Sequence, residues 1–473
     1  MGRLTPILLT IVLTTAAPQR SAIDWKAAEQ ETLRHFQALL EFDTSDPPGQ
    51  EKPAVDYLKG VLEAEGIPVE ILFNEPNRPN LVARLKGSGA KRPLLIMGHT
   101  DVVNVDPSKW KHPPFAAVRH GGYVYGRGSV DDKDNVVAGL MIMLTLKRQN
   151  VPLDRDVIFL AESGEEGSTR VGIQFMVNEH FARIDAEYCL AEGGSVTRTG
   201  GKVKFASVQT LEKIPRGIEL TARGPAGHGS TPLRDNAVVR LAAAVAKIGA
   251  WKTPVRLNET TRAYFERLAS ISTPDEARQY RAILSADAKA VDNADEHFLT
   301  IEPRHASMIR TSISPNIIQG GYRINVIPSE AKATLDVRMH PDDDHLALIE
   351  EVKKVIGDPK VEVAWAQRDV RPGGASGNLA SDAFKAIEAM VTKHYQTVTL
   401  PTMSPGATDM AYLRARGVQC YGIGPATDIE DGPLGFGAHS DQERILEAEL
   451  YRFVRFHYEL VEQIAAGRKD APR

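Results

Sequence analysis

Cysteine is nearly missing: Cys189 and Cys420 are the only two in 473 residues. That excludes a disulfide framework, and neither stands in a CxxC or Cys/His zinc-finger spacing. A positive excess is missing as well. Lys+Arg is 57 against Asp+Glu 61, a formal charge of -4, so there is no overall basic field for nucleic acid. The 38 glycines and 29 prolines form no tract, which removes collagen-like and low-complexity readings. Past the N-terminus no apolar run reaches the about 20 residues of a membrane span. What remains is an ordinary globular balance, 42% hydrophobic and 25% charged, with length for about two to four domains.

The N-terminus reads MGRLTPILLTIVLTTAA. Arg3 precedes an uncharged, mostly apolar run from Leu4 to Ala17, and small residues follow. This is the order of a secretory signal peptide. It predicts export, periplasmic or secreted, with a signal peptide within residues 1–22 cleaved somewhere in 16–22 and no membrane span after processing. Export leaves open whether Cys189 and Cys420 pair.

Beyond it, short apolar runs alternate with helical patterns. Strands are predicted at 71–73, 81–85, 93–98, 156–162 and 186–192, with a buried helix at 136–149. Such alternation predicts an α/β domain around a mostly parallel sheet flanked by helices. After residue 212 the pattern changes to a β-α-β-β-α-β order, with two strands around Pro328 and a polar helical elaboration at 252–310. That order suits an inserted ferredoxin-like α+β unit. The chain thus divides into a catalytic domain in two parts, 23–212 and 371–473, and an inserted lid or dimerisation domain at 213–370.

Acidic and histidine residues follow nearly every strand of the α/β part, where open sheets place their sites. His99 and Asp101 follow one strand. Spaced i and i+2, they face the same way, so Asp101 can orient the ring. Asp131 and Asp132 are adjacent carboxylates ahead of the buried helix, costly unless a cation compensates. Glu165 and Glu166 sit side by side in a Gly-flanked loop. Glu192 ends the strand YCLA, and His439 lies in a Gly-rich loop before the last helix. Each alone fits a helix cap or a solvated loop. Together, two histidines and several carboxylates at one sheet edge are ligands for a divalent metal such as zinc. Asp131 can bridge two metals about 3.5–4 Å apart.

The motifs GHTDVV (98–103), YGRGSVDDK (125–133), SGEEGS (163–168), AEGG (191–194), GPAGHGSTP (224–232), NVIP (325–328), LDVR (335–338) and GATD (406–409) occur in this order. In them the chain resembles the dinuclear-zinc metallopeptidase family of glutamate carboxypeptidase, succinyl-diaminopimelate desuccinylase, carnosinase and aminoacylase. It is most similar to the glycine-X carboxypeptidase and N-acyl-amino-acid hydrolase branch. The resemblance implies two Zn²⁺ per chain, with Co²⁺ or Mn²⁺ able to substitute. It places His99, Asp131, Glu166, Glu192 and His439 at the metals, Asp131 bridging, with Glu165 as general base and Asp101 orienting His99. Asp132 follows the bridge where the family often has a cis peptide. His228 of the inserted domain would reach a catalytic site, the partner's in a homodimer. Asn325, Arg338 and Gly406 would bind substrate, although Arg338 could instead pair with Asp336. Three departures stand out: Asp134 for Gly or Asn, Ala407 for Gly, and Ser440-Asp441 after His439.

The function expected is hydrolysis of an amide or peptide bond next to a free amino-acid carboxylate. The substrate would be a small peptide or N-acyl amino acid. A dipeptidase or aminopeptidase of the same fold is the nearer alternative. A non-catalytic binding homologue would be expected to have lost a ligand or the base.

Overall fold

A computed structural model describes residues 22–366 and 370–467. The signal-peptide expectation falls almost wholly outside them.

The larger sheet has ten strands. Leu94–His99 lies at its centre, parallel to Val157–Glu162 on one side and Tyr188–Ala191 on the other. Gln419–Gly422, from the far end of the chain, pairs in parallel with Tyr188–Ala191. Antiparallel pairs join Asn80–Leu85 to Val157–Glu162, and Lys202–Glu212 to Gln419–Gly422 and Ser195–Thr199. The sheet is therefore parallel through the centre and mixed outward. Its central strands are apolar without alternation because both faces are covered. Leu94 and Ile96 join one core, while Leu95 and Met97 join the other.

The buried helix spans Lys133–Arg148 and packs against Trp25–Leu40, Glu447–Ala465 and the sheet. Nearly every residue of it is buried, which is why its sequence shows no polar stripe. Gly139 lets it close on the sheet, since a Cβ there would lie 2.3 Å from the Phe159 ring.

The smaller sheet orders Ser312–Gly320, Glu330–Met339, Ile214–Arg223 and Val361–Trp365, all antiparallel. Helices Ala237–Ala250 and His345–Ile356 cover its apolar face. In chain order this is β-α-β-β-α-β. Its second strand is not the one expected just before Pro328. That strand is Ser312–Gly320, and Val326–Ile327 instead pairs with Gly227–His228. Gly321, at φ +75, turns the chain out of the sheet, a backbone region glycine enters without steric cost.

The 252–310 stretch forms helices Glu259–Ile271, Pro274–Ala282, Ala288–Ile301 and Pro303–Met308. Their core, with Phe265 stacked on Phe298, also takes in Leu211, Leu400 and Met403 of the large sheet. This elaboration therefore packs on the large sheet.

Candidate metal centre

Three adjacent parallel strands end at one edge. Leu94–His99 delivers His99, the loop after Val157–Glu162 delivers Glu165 and Glu166, and Glu192 follows Tyr188–Ala191. A backbone contact brings in the Asp131 loop: the Asp132 carboxylate accepts from the His99 N–H at 3.1 Å and from Asn135 at 2.5 Å. The Asp131–Asp132 peptide is cis. The His439 loop arrives through a buried pair, Arg127 Nη1 to Glu443 Oε2 at 2.5 Å. Glu443 Oε1 also accepts from Val130 N, and Arg127 donates to the Ser440 carbonyl.

His99 Nε2 lies 3.1 Å from Asp131 Oδ1. His439 Nε2 lies 3.0 Å from Asp131 Oδ2 and 2.9 Å from Glu166 Oε1. Asp131 thus stands between the two histidines. Ligand atoms of His99, Asp131 and Glu166 fall within 4.8 Å of one another, as do those of His99, Glu165 and Glu192. His439 has φ +61, a backbone region that side-chain-bearing residues enter rarely and often at functional sites.

Asp101 does more than the sequence suggests. His99 Nδ1 is 3.0 Å from the Asp101 backbone carbonyl but 3.6 Å from its carboxylate. The carboxylate instead accepts from the N–H groups of Gly164, Glu165 and Glu166 at 2.8, 3.2 and 2.9 Å. Its main geometric effect is to shape the loop that carries both glutamates.

The centre is rich in buried acid. Burial pushes the Glu165 carboxyl up to about 8 against the pull of Arg371, and Asp132 up to about 7. Burial, then Glu165 and Asp131, hold Glu192 well above the usual range. Asp131 goes the other way, because hydrogen bonds to His439 and His99 outweigh its burial. Asp134 is fully buried and neither carboxylate oxygen has a hydrogen-bond partner; Glu162 and Asp409 each leave one oxygen unpartnered. The Lys133 ammonium donates to the Phe42 carbonyl rather than to these carboxylates. Buried carboxylates this dense fit divalent cations, which would offset charge that the protein leaves uncompensated. A third acidic group, Asp46, Glu51 and Asp101, already has a cation: Arg78 pairs with Asp46 at 2.5 Å and Glu51 at 2.6 Å.

Several residues were not anticipated. Arg371 bridges Glu165 Oε1 at 2.8 Å and Asp409 Oδ1 at 2.9 Å. Glu212 accepts from Arg414, Gln209 and Thr408, fixing the turn before Asp409. Asp409 closes the GATD motif and was visible there, but nothing around Arg371 marks it.

The inserted-domain residues do not join this group. The His228 ring is exposed, and its Nδ1 is 2.7 Å from Ser230 Oγ. Asn325 is exposed and Arg338 Nε donates to Asp336 at 3.0 Å. Among the described residues none of the three shares a hydrogen bond or ion pair with the metal-centre side chains. Gly406 N donates to Ser404 Oγ, three residues before Asp409. Cys189 and Cys420 are buried and free on neighbouring strands.

Comparison with known proteins agrees with this architecture. The chain is 28% identical over 393 residues to "Probable carboxypeptidase S-like 2" of Dictyostelium discoideum, covering 81% of this chain and 74% of that one. It is 26% identical over 380 residues to the human "N-fatty-acyl-amino acid synthase/hydrolase PM20D1", covering 78% and 74%. The M20 family metallo-carboxypeptidase Sso-CP2 from Sulfolobus solfataricus shares the fold, with a TM-score of 0.68, 21% identity and coverage of 91% and 98%. The site is that of a metal-binding hydrolase acting on amino-acid or peptide substrates, and carries the dinuclear-metal motif typical of zinc metallopeptidases and amidohydrolases. Residues 95–463 match "Peptidase family M20/M25/M40", and the chain belongs to that family.

Proposed function

We propose that the protein hydrolyses an amide bond next to a free amino-acid carboxylate, as a carboxypeptidase or N-acyl-amino-acid hydrolase. One observation carries the reading: Glu165 sits in the same half-buried cluster as His99 and Glu192, next to His99, Asp131 and Glu166. His99, Asp131, Glu166, Glu192 and His439 would hold two divalent ions, Zn²⁺ by the ligand chemistry. Such ions supply Lewis acidity and lower the pKa of a bound water towards about 7.

The chain does the rest. Glu165 takes the proton of the attacking water and passes it to the leaving nitrogen; burial raises its basicity, and bound cations beside it would keep the carboxylate ionised to accept that proton. Arg371 fixes that carboxyl and ties it to Asp409. The names of relatives, a carboxypeptidase and an N-fatty-acyl-amino acid hydrolase, support a substrate with a free carboxylate. Arg338 is the proposed partner for that carboxylate, released from Asp336 when the small domain closes.

A homodimer is proposed through the outer strand Ser312–Gly320, where Ile317 and Ile318 are exposed; it would place His228 and Asn325 at the partner's centre. Sedimentation of the processed chain as a monomer would refute it. Export is proposed from the N-terminal run alone, and no helix among the described residues is long and apolar enough to cross a membrane.

A panel of N-acyl amino acids and free dipeptides, assayed with Zn²⁺ and after chelation, tests the activity. Release of the amino acid from acylated substrates, lost on chelation, is expected. Cleavage of free dipeptides alone would overturn the reading.

A further inference from the structure

The helices of the 252–310 stretch do not seal against the large sheet. They leave a cavity of about 820 Å³, inside the range of small-ligand sites, about 300–1,000 Å³. Among the described residues that line it, none belongs to the metal centre, so it is a separate place to bind. Its helix-side wall is buried and largely aromatic or aliphatic: Tyr264, Leu268, Tyr280 and Met308. Its floor is one face of the sheet. Ser195 pairs with Ser207, and Thr197 pairs with both Phe205 and Thr427, so these side chains share that face. The Thr197 and Thr427 hydroxyls line the cavity with no hydrogen-bond partner among the described residues.

The charges decide what fits. Both acids are spent on the protein itself. Glu302 binds His305 and accepts from Tyr280 at 3.1 Å. Glu276 accepts from the Thr273 N–H and hydroxyl at 2.9 and 2.7 Å, at the start of its own helix, where a carboxylate offsets the helix dipole. The two cations are not spent. Lys204 and Arg304 are exposed at the cavity, and among the described residues neither side chain has a hydrogen bond or a carboxylate partner. The field of Arg304 reaches the Tyr264 hydroxyl on the wall.

Lys204 is there because the sheet is irregular at this point. In an unbroken ladder it would point away from the face that Phe205 shares with Thr197. The register slips instead: Thr197 stands opposite Phe205 but Arg198 stands opposite Val203. Lys204 is the extra residue of a bulge, a device that re-aims a side chain, and it lines the cavity together with Phe205.

We infer that this cavity is a second binding site and that its ligand is an organic anion with an aromatic body. The wall of Tyr264 and Tyr280 takes the rings, while Lys204, Arg304 and the free threonine hydroxyls meet the acidic group. The site stands whether or not the hydrolase reading does.

The test uses the full, metal-loaded chain and anilinonaphthalene sulfonate, which fluoresces on leaving water. Phenylnaphthylamine, with the same rings and no charge, is measured beside it. One sulfonate per chain is expected, bound at least about tenfold tighter than the uncharged compound, the worth of two exposed ion pairs. Lys204→Ala and Arg304→Ala are each expected to raise its Kd by about three- to fivefold and to leave the uncharged compound unaffected. Both side chains are exposed, so the fold does not depend on them. Thr427→Trp, which fills the floor, is expected to weaken both compounds. Equal affinity for the two compounds overturns the inference, as does a Kd for the sulfonate that is unchanged when Lys204 and Arg304 are both replaced by Ala.

Discussion

Metal binding at this centre is expected to expel protons, and the number follows from the metal-free geometry. His439 points one nitrogen at both Asp131 and Glu166, and those hydrogen bonds push its pKa up to about 10. Burial alone would lower that of His99, but hydrogen bonds to Asp101 and Asp131 hold it well above its ordinary value. Both rings are therefore protonated in the metal-free protein at neutral pH, and a metal takes only the neutral ring. His99 is buried while the His439 side chain is 53% exposed, so solvent screening trims the second contribution. Displacing both protons makes the overall metal affinity rise with pH by at least about a hundredfold per unit, tenfold for each proton, and the Glu192 carboxyl, also held high, adds to it. The rise continues as long as both rings stay charged, which for His439 is up to its pKa of about 10. Calorimetric titration of Zn²⁺ into the chelator-stripped protein, in two buffers of different ionisation enthalpy at pH 7.5, measures the count. At least about two protons per chain are expected. Release of none, or an affinity flat between pH 6.5 and 8.5, would refute the reasoning.

Other expectations are as concrete. Glu165→Gln should lower kcat by about 10²–10⁴ while metal content by atomic absorption stays at the wild-type level; full activity would remove Glu165 as the base. Glu443→Ala strips the partner from Arg127, buried at 2% exposure, and should cost about 3–5 kcal/mol in denaturant unfolding; it should also weaken metal binding through the His439 loop. His457 is fully buried with neither ring nitrogen partnered, and burial drops its pKa to about 3. The unfolded chain takes up that proton below about 6.5 and the folded one does not, so stability falls from there towards pH 3, by about 2 kcal/mol at pH 5. His457→Phe should flatten this part of the urea-measured pH profile, and an unaltered profile would show that His457 does not cause it.

The sequence alone was enough for the α/β character, for the β-α-β-β-α-β order of the smaller sheet, and for singling out the residues proposed as metal ligands, whose roles the family resemblance supplied. The reason is local: apolar runs buried on both faces announce central strands, and acidic and histidine residues stand directly after them in short motifs. His99, Asp131, Glu165, Glu166, Glu192 and His439 are each legible this way, because each sits where a strand or a Gly-rich turn stops. Local pattern misplaced the strand before Pro328, since Val326–Ile327 is apolar yet pairs outside the smaller sheet. Only the tertiary structure decided what distant residues do to one another. Arg371 reaches Glu165 across 206 positions of chain, and no spacing encodes that. Asp101 turned out to bind three backbone N–H groups of the glutamate loop, a contact that exists only once two neighbouring strands lie parallel. The cavity under the helical stretch likewise has one wall from residues 264–308 and one from strands between 195 and 427. Its shape is a property of packing, which burial and topology set together and linear order leaves undetermined.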